Sequence, residues 1–195
     1  MIKTTSILIQ ELREYSNPLS KINRMVSQGE FFPIIKGLYE TDAGVPAHYL
    51  AGSIYGPSYI SFEYALAFYS LIPEAVYICT SATFQKRKVK KYETRFGLFS
   101  YRDIPSEAFP YGIDIREENG YAFLIAAPEK AICDQLYKIS PVANQKELER
   151  LLFEDLRIDR ADFEKLNINN MIELTSKYHS TNLNLLRAYL KGKRK

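Results

Sequence analysis

Six residues in the middle of the chain have the types that a metal-dependent nuclease uses, namely carboxylates to hold a cation and a lysine beside them. They are Glu93, Asp103, Asp114, Glu129, Lys130 and Asp134. Structural roles explain several of them better. Glu129 falls in the first turn of a predicted helix, where a carboxylate meets free N–H groups, and Asp134 follows Lys130 at ion-pairing spacing. A metal-dependent nuclease-like enzyme is therefore the least favoured of three hypotheses, and no catalytic residue is assigned.

Histidine and cysteine are too few and too widely spaced for a zinc site. His48 and His179 share no ligand spacing with Cys79 or Cys133. The sequence contains neither a glycine-rich phosphate loop nor a nucleophile elbow. We therefore expect no metal, no cofactor and no catalysis. The two cysteines indicate a reducing compartment. With no signal peptide and no membrane-spanning run, they predict a cytoplasmic protein without a membrane partner.

Basic residues are concentrated in two runs, although the formal net charge is only +3. The second run, Lys191–Lys195, is expected to be a disordered tail with at most a non-specific electrostatic role. The first run is either a solvated loop or a patch for nucleic acid or an acidic partner, formed by Lys86, Arg87, Lys88, Lys90 and Lys91.

Residues 1–44 are predicted to form two helices and a hairpin. The first helix runs to about Tyr15. Asn17 and Pro18 are an N-cap and a first helical residue for the second helix, which ends before Gly29. The pair Lys36–Gly37 supplies a hairpin turn. Two helices followed by a small hairpin are typical of a winged helix-turn-helix, which binds DNA.

In that arrangement the second helix lies in the major groove and the tip of the hairpin touches an adjacent phosphate. The buried stripe of the second helix is predicted to contain Leu19, Ile22, Met25 and Val26. Acidic and basic residues balance over this region, so a small helical cap on the rest of the protein is the alternative. The predicted DNA contacts are Asn17, Ser20, Lys21, Arg24 and Lys36.

Residues 45–195 are predicted to form a mixed α/β unit of the α+β class, with a small sheet flanked by helices and a helical C-terminus. Its centre is Gly56–Glu74, where a Gly-Pro turn precedes a helix capped by Ser61 and stopped by Pro73. The strand Ala75–Thr80 follows. Other strands are expected at 91–96, 98–103, 109–115 and 121–125, and helices at 46–55, from 128, and at 144–152, 159–166, 168–178 and 181–190.

Three motifs resemble the AbiEi family of antitoxins. The first is Gly56-Pro57-Ser58-Tyr59-Ile60-Ser61-Phe62-Glu63-Tyr64-Ala65-Leu66 with Leu71-Ile72-Pro73-Glu74. The second is Tyr92-Glu93-Thr94-Arg95-Phe96-Gly97 with Tyr101-Arg102 and Ile104-Pro105. The third is Ala127-Pro128-Glu129-Lys130-Ala131 with Asp134 and Leu136-Tyr137, and Lys36-Gly37-Leu38-Tyr39 is similar to the family's wing. These matches stand in the family's order and span about residues 22–138.

The resemblance implies an antitoxin of a type IV toxin–antitoxin system, a class linked to abortive infection. The N-terminal winged helix would bind operator DNA and repress transcription of the protein's own operon. The unit 45–195 would be the antitoxin domain, counteracting a nucleotidyltransferase-like toxin without a stable complex. The alternative function is a DNA-binding transcriptional regulator unrelated to a toxin.

Overall fold

A computed structural model describes residues 1–193 of the chain. Arg194 and Lys195, the end of the predicted basic tail, lie outside the described residues. The strands are β1 (Lys3–Thr4), β2 (Phe32–Ile35), β3 (Leu38–Glu40), β4 (Tyr59–Ile60), β5 (Ile78–Thr83), β6 (Lys90–Thr94), β7 (Gly97–Asp103), β8 (Ile113–Glu118) and β9 (Tyr121–Ala126).

Helices separate some of the first five strands, β5 to β9 follow one another without a helix between them, and every later element of the described chain is helical, which confirms the predicted α+β class. They are α1 (Thr5–Glu11), α2 (Pro18–Ser27), α3 (Ala47–Ile54), α4 (Phe62–Phe68), α5 (Pro128–Lys138), α6 (Gln145–Arg150), α7 (Arg160–Glu164), α8 (Ile168–Thr175) and α9 (Thr181–Lys193), with a π-helical turn at Leu151–Asp155. None of the helices in residues 1–193 has the length and apolarity needed to cross a membrane.

The N-terminal elements form a three-stranded sheet with two helices, in the order β1–α1–α2–β2–β3. The sheet order is β1-β3-β2, and all pairs are antiparallel. Gly37 adopts a φ of +83° in the β2–β3 turn, a conformation that favours glycine. This order is that of a winged helix-turn-helix. Strand β1 was not predicted, because two residues give no periodic pattern.

Local capping explains where the two N-terminal helices begin. The Thr4 hydroxyl accepts from the Ile7 N–H, and the Asn17 side chain accepts from the Ser20 N–H at 3.1 Å, as predicted for Asn17. The first helix was predicted to reach Tyr15 but ends at Glu11. One small apolar cluster joins the helices to the sheet; its buried members are Leu8, Ile22 and Phe31.

The second sheet has six strands in the order β6-β7-β5-β4-β9-β8. The β5–β7 and β4–β9 pairs are parallel, and the other pairs are antiparallel. Two strands were predicted on either side of Gly97, and they pair as the antiparallel β6–β7 hairpin. The strand expected from residue 109 begins only at Ile113, because Ala108 and Phe109 donate to Pro105 O in a turn. Ile34 and Leu38 of the wing belong to the main core, so the two sheets share packing.

The central stretch Gly56–Glu74 has a different local structure from the one predicted. Helix α4 spans only Phe62–Phe68, and the chain turns at Ser70, whose φ is +57°, well before Pro73. The following strand runs over Ile78–Thr83 rather than Ala75–Thr80. Leu66 and Phe62 are buried as expected.

Ser61 stands at the N-cap position of α4 but makes no capping hydrogen bond, so the predicted cap is wrong. Thr80 of the neighbouring strand β5 takes that role. Its hydroxyl accepts from the Tyr64 N–H at 3.1 Å and donates to Ser61 O at 2.7 Å. The Ser61 hydroxyl is thereby left for a partner elsewhere in the core.

Candidate functional site

The five residues predicted to contact DNA lie on α2 and at the wing tip. Ser20, Arg24 and Lys36 are exposed, and neither basic residue among them forms an ion pair with any described residue. Lys21 is half-buried, with its ammonium 5.1 Å from the centre of the Tyr15 ring. Asn17 is exposed, but its side-chain oxygen is occupied by the helix cap. Four of the five therefore share α2 or its cap, and Lys36 stands apart on the hairpin.

Two further residues belong to the same outward face of α2. Leu19 was predicted to be buried, but its side chain is 54% exposed, and Asn23 is exposed one helical turn later. Leu19 and Asn23 are four residues apart, as are Ser20 and Arg24, and Ser20 and Asn23 are three apart, so these side chains are neighbours on the helix surface. The prediction failed because the stripe of Ile22, Met25 and Val26 fills the contact with α1 and the sheet without Leu19. We call Leu19, Ser20, Asn23, Arg24 and Lys36 the N-terminal surface.

The basic run 86–91 covers the end of the β5–β6 connection and the first two residues of β6. Lys86 donates to Gly56 O at 3.1 Å and lies 5.2 Å from the Tyr55 ring centre, while Lys90 covers the Tyr92 ring. Arg87 is held through its backbone N–H by the Asp103 carboxylate. Exposed Arg87, Lys88 and Lys91 side chains remain available to solvent or a partner. Nothing in this loop resembles a closed binding site.

A polar cluster fills the centre of the main core where α5 packs on β4. Asp134 accepts from the Tyr59 and Ser61 hydroxyls at 2.9 and 2.7 Å through Oδ2, and from the Tyr178 hydroxyl at 2.6 Å through Oδ1. Lys130 Nζ lies 3.2 Å from Asp134 Oδ1, which confirms the predicted pairing. We call Tyr59, Ser61, Lys130, Asp134 and Tyr178 the buried polar hub.

Burial controls the charges in the buried polar hub. Lys130 and Asp134 have no exposed side-chain surface. Burial lowers the pKa of Lys130, and the nearby Asp134 carboxylate partly opposes that change. Lys130 Nζ also donates to Ala108 O at 2.7 Å and to the Tyr178 hydroxyl at 2.5 Å, so three oxygen atoms surround the ammonium. Burial likewise raises the pKa of Tyr59 and Tyr178 well above the ordinary value.

The remaining residues of the nuclease hypothesis lie on other elements. Glu93 and Asp114 are on β6 and β8, the two opposite edge strands of the sheet. Asp103 accepts from the Thr83 hydroxyl at the end of β7, and Glu129 accepts from the Asn167 N–H at 2.7 Å. No group of three or more His, Cys, Asp or Glu residues is placed to hold a metal ion within residues 1–193.

Both cysteines are buried, and His48 is half-buried. Burial raises the pKa of the Cys79 thiol to about 12 and also raises that of Cys133. His48 lies in an aromatic pocket, where its Nδ1 is 3.0 Å from the Tyr64 hydroxyl, and its Nε2 is 3.8 Å from Glu118 Oε2. Burial lowers the pKa of His48 despite that carboxylate.

The three sequence motifs that resemble the antitoxin family meet in the main core. Ser61 of the first motif bonds Asp134 of the third, and Glu63 of the first pairs with Arg102 of the second at 2.9 Å. Gln135 donates to the same Glu63 oxygen at 3.3 Å. Residues far apart in the chain therefore form one polar framework that joins β4, α4, β7 and α5. Sequence spacing gave no sign of these contacts.

Comparison with known proteins assigns no relative to the chain. No family model matches it, and no curated protein sequence matches it.

Proposed function

We propose that this protein is a DNA-binding antitoxin that represses its own operon and counteracts a nucleotidyltransferase-like toxin. The observation that carries the DNA-binding part is the β1–α1–α2–β2–β3 topology, which leaves the polar face of α2 exposed beside the wing. The antitoxin part is supported by the resemblance of the three motifs to the AbiEi family and by their joint position in one core. The proposal includes no catalytic step, because Lys130 and Asp134 are sealed from solvent.

The chemistry of the N-terminal surface suits a specific contact better than a purely electrostatic one. Arg24 and Lys36 offer positive charge to phosphates, while Ser20 and Asn23 can bond base edges. Leu19 offers an apolar surface that fits a thymine methyl group. Exposed Glu14 and Glu30 near the ends of α2 oppose a strong general attraction to DNA. Operator sequence, rather than net charge, should therefore dominate the affinity.

The DNA-binding part is tested with the full chain and the DNA upstream of its own gene. Lys21→Ala combined with Arg24→Ala should weaken binding and reduce the slope of log K against log salt by about one unit for each phosphate that the variant no longer neutralises. Lys146→Ala combined with Arg150→Ala removes two exposed cations from α6 and is the matched control. Equal binding by both double variants, measured by fluorescence anisotropy, would remove α2 from the interface.

The antitoxin part is tested by co-expression with any nucleotidyltransferase-like protein that is encoded beside the gene. Rescue of growth by the wild-type chain is the expected result. Deletion of residues 45–195 should abolish rescue, and deletion of 1–44 should preserve it if the remainder folds. Deletion of residues 1–44 also removes Ile34 and Leu38 from the main core. The variant with Lys21→Ala and Arg24→Ala leaves that core intact, so it separates DNA binding from antitoxin activity more cleanly. It should retain rescue while losing repression.

A DNA-binding regulator unrelated to a toxin is the second candidate. The winged helix-turn-helix supports it without help from the sequence motifs. Operator binding together with failure to rescue growth from any adjacent nucleotidyltransferase-like protein would favour this function over the first.

A further inference from the structure

Strand β8 forms an open edge of the six-stranded sheet. It is the last strand in the sheet order and pairs only with β9 among the strands of residues 1–193. Ile115 at its middle is 70% exposed, and its cross-strand neighbour Leu124 is 42% exposed. An edge that combines free backbone groups with exposed apolar side chains is suited to pairing with another strand.

An apolar groove lies beside this edge. Its volume is about 350 Å³, and its lining includes Pro57, Phe109, Ile113, Ile115 and Leu124. Ile115 and Leu124 are direct partners across the β8–β9 pair, so both project from the same face of the sheet. A strand added to β8 would therefore extend the apolar face as well as the sheet.

The charges of β8 are complementary to those of a second, antiparallel β8. Asp114 and Arg116 flank Ile115 and share the opposite face of the sheet, where their side chains are 3.8 Å apart. If Ile115 stands opposite Ile115 of a second copy, each Asp114 stands opposite an Arg116. Centring the pair on Asp114 or on Arg116 instead places identical charges opposite each other, which is destabilising. Of these three registers, the one centred on Ile115 places Asp114 opposite Arg116, and it leaves Glu117 opposite Ile113.

We propose that two copies of this chain associate through antiparallel pairing of their β8 strands, centred on Ile115. The sheet would then continue across the two-fold axis as twelve strands, with two Asp114–Arg116 pairs on one face and the Ile115 and Leu124 side chains on the other. A symmetric pairing of this kind is an isologous interface, in which the same surface serves both partners.

The opposite edge of the sheet is a poorer site for a second copy. Strand β6 begins with Lys90 and Lys91 and comes directly after Lys86, Arg87 and Lys88, so this edge carries five cationic residues near one end. Lysines at an edge strand are a common device against such association. Strand β6 also has no exposed large apolar side chain among its five residues, whereas β8 has Ile115 at its middle.

The proposal is tested by sedimentation equilibrium of the full chain without DNA or toxin, so its outcome is independent of the proposed function. The wild-type chain should approach twice its 22.5 kDa mass as concentration rises. Arg116→Asp should raise the dissociation constant roughly tenfold or more, and so should Asp114→Arg. The variant carrying both changes restores opposite charges at each contact and should recover association.

Control variants on β7 and disulfide crosslinking at Ile115 test whether association occurs through β8. Leu98→Asp, at an exposed position of β7 away from β8, should leave association unchanged, whereas Ile115→Asp should abolish it. Since Cys79 and Cys133 are buried, Ile115→Cys would place one exposed thiol at the two-fold axis, and oxidised glutathione should convert this variant to a disulfide-linked dimer. Leu98→Cys should not crosslink.

A chain that remains monomeric at all accessible concentrations would overturn the proposal. So would a dimer that is indifferent to Arg116→Asp and Ile115→Asp. Failure of the combined charge exchange to recover association, with circular dichroism showing a folded variant, would overturn the register centred on Ile115.

Discussion

Replacing Asp134 by alanine should strongly destabilise the fold, although the residue is far from the N-terminal surface. The change removes an acceptor that receives three hydroxyl hydrogen bonds, from Tyr59, Ser61 and Tyr178. It also leaves the Lys130 ammonium buried without its counter-ion. Removing one partner of a buried ion pair destabilises a fold by more than the intact pair stabilises it. The remaining charge has neither water nor a counter-ion around it.

The magnitude follows from the charge and its surroundings. Breaking a buried ion pair by removing one partner costs about 3–5 kcal/mol. Each orphaned hydroxyl adds up to about 1–3 kcal/mol, but the four groups share one acceptor and their costs do not add. We expect a loss of about 3–5 kcal/mol, a large part of the stability of an ordinary domain. For a chain of 195 residues this lowers Tm by roughly 6–20 °C.

Urea denaturation followed by far-UV circular dichroism measures the loss, since the chain contains no tryptophan. Lys130→Met alone should also destabilise, and the variant carrying both changes should lose less than the sum of the two. Asp155→Ala, at an exposed position, is the control and should leave the midpoint unchanged. If Asp134→Ala changed the free energy of unfolding by less than about 0.5 kcal/mol, as surface substitutions do, the assignment of the buried polar hub would be refuted.

Three further predictions concern the main core. Thr80→Val removes the cap of α4 and should lower the free energy of unfolding, measured by urea denaturation, by about 1–2 kcal/mol. Ser81→Ala is the control: it removes a buried hydroxyl without a described partner and should leave that free energy almost unchanged. Burial lowers the pKa of His48, so the unfolded chain binds more protons and stability should fall as pH drops below about 6.5. His48→Gln should flatten that pH dependence, and equal slopes for the wild type and the variant would contradict this. Leu66→Ala should lower the free energy of unfolding by about 2–5 kcal/mol, and a loss below about 1 kcal/mol would argue against its buried position.

The helix starts that the sequence predicted correctly depend on contacts only a few residues long. The Asn17 side chain bonds a backbone N–H three residues later, and Pro128 begins α5 with its ring at a position where no N–H is needed. Gly37 allows the tight turn of the wing. Such contacts form within one turn of chain, so residue type and spacing are sufficient to predict them.

Ser61 shows where that reasoning fails. A serine before an apolar helix is a strong N-cap signal, yet Thr80 caps α4 and the Ser61 hydroxyl bonds Asp134, which is 73 residues away. The Tyr64 N–H could bond either the hydroxyl of Ser61, which is close in sequence, or that of Thr80, which is distant. The position of strand β5 beside the helix decides in favour of Thr80. The prediction that Leu19 is buried failed for a related reason. Ile22, Met25 and Val26 already fill the contact that Leu19 was expected to share.

For the N-terminal surface, the sequence by itself determined the residue types and the α2–wing arrangement, since both follow from helix periodicity and turn chemistry. The tertiary structure alone decided that the Leu19 side chain also faces outward. It also decided that three separate motifs converge on Glu63 and Asp134. Contacts of that range depend on how sheets and helices pack, and no pattern within one segment encodes the packing of another.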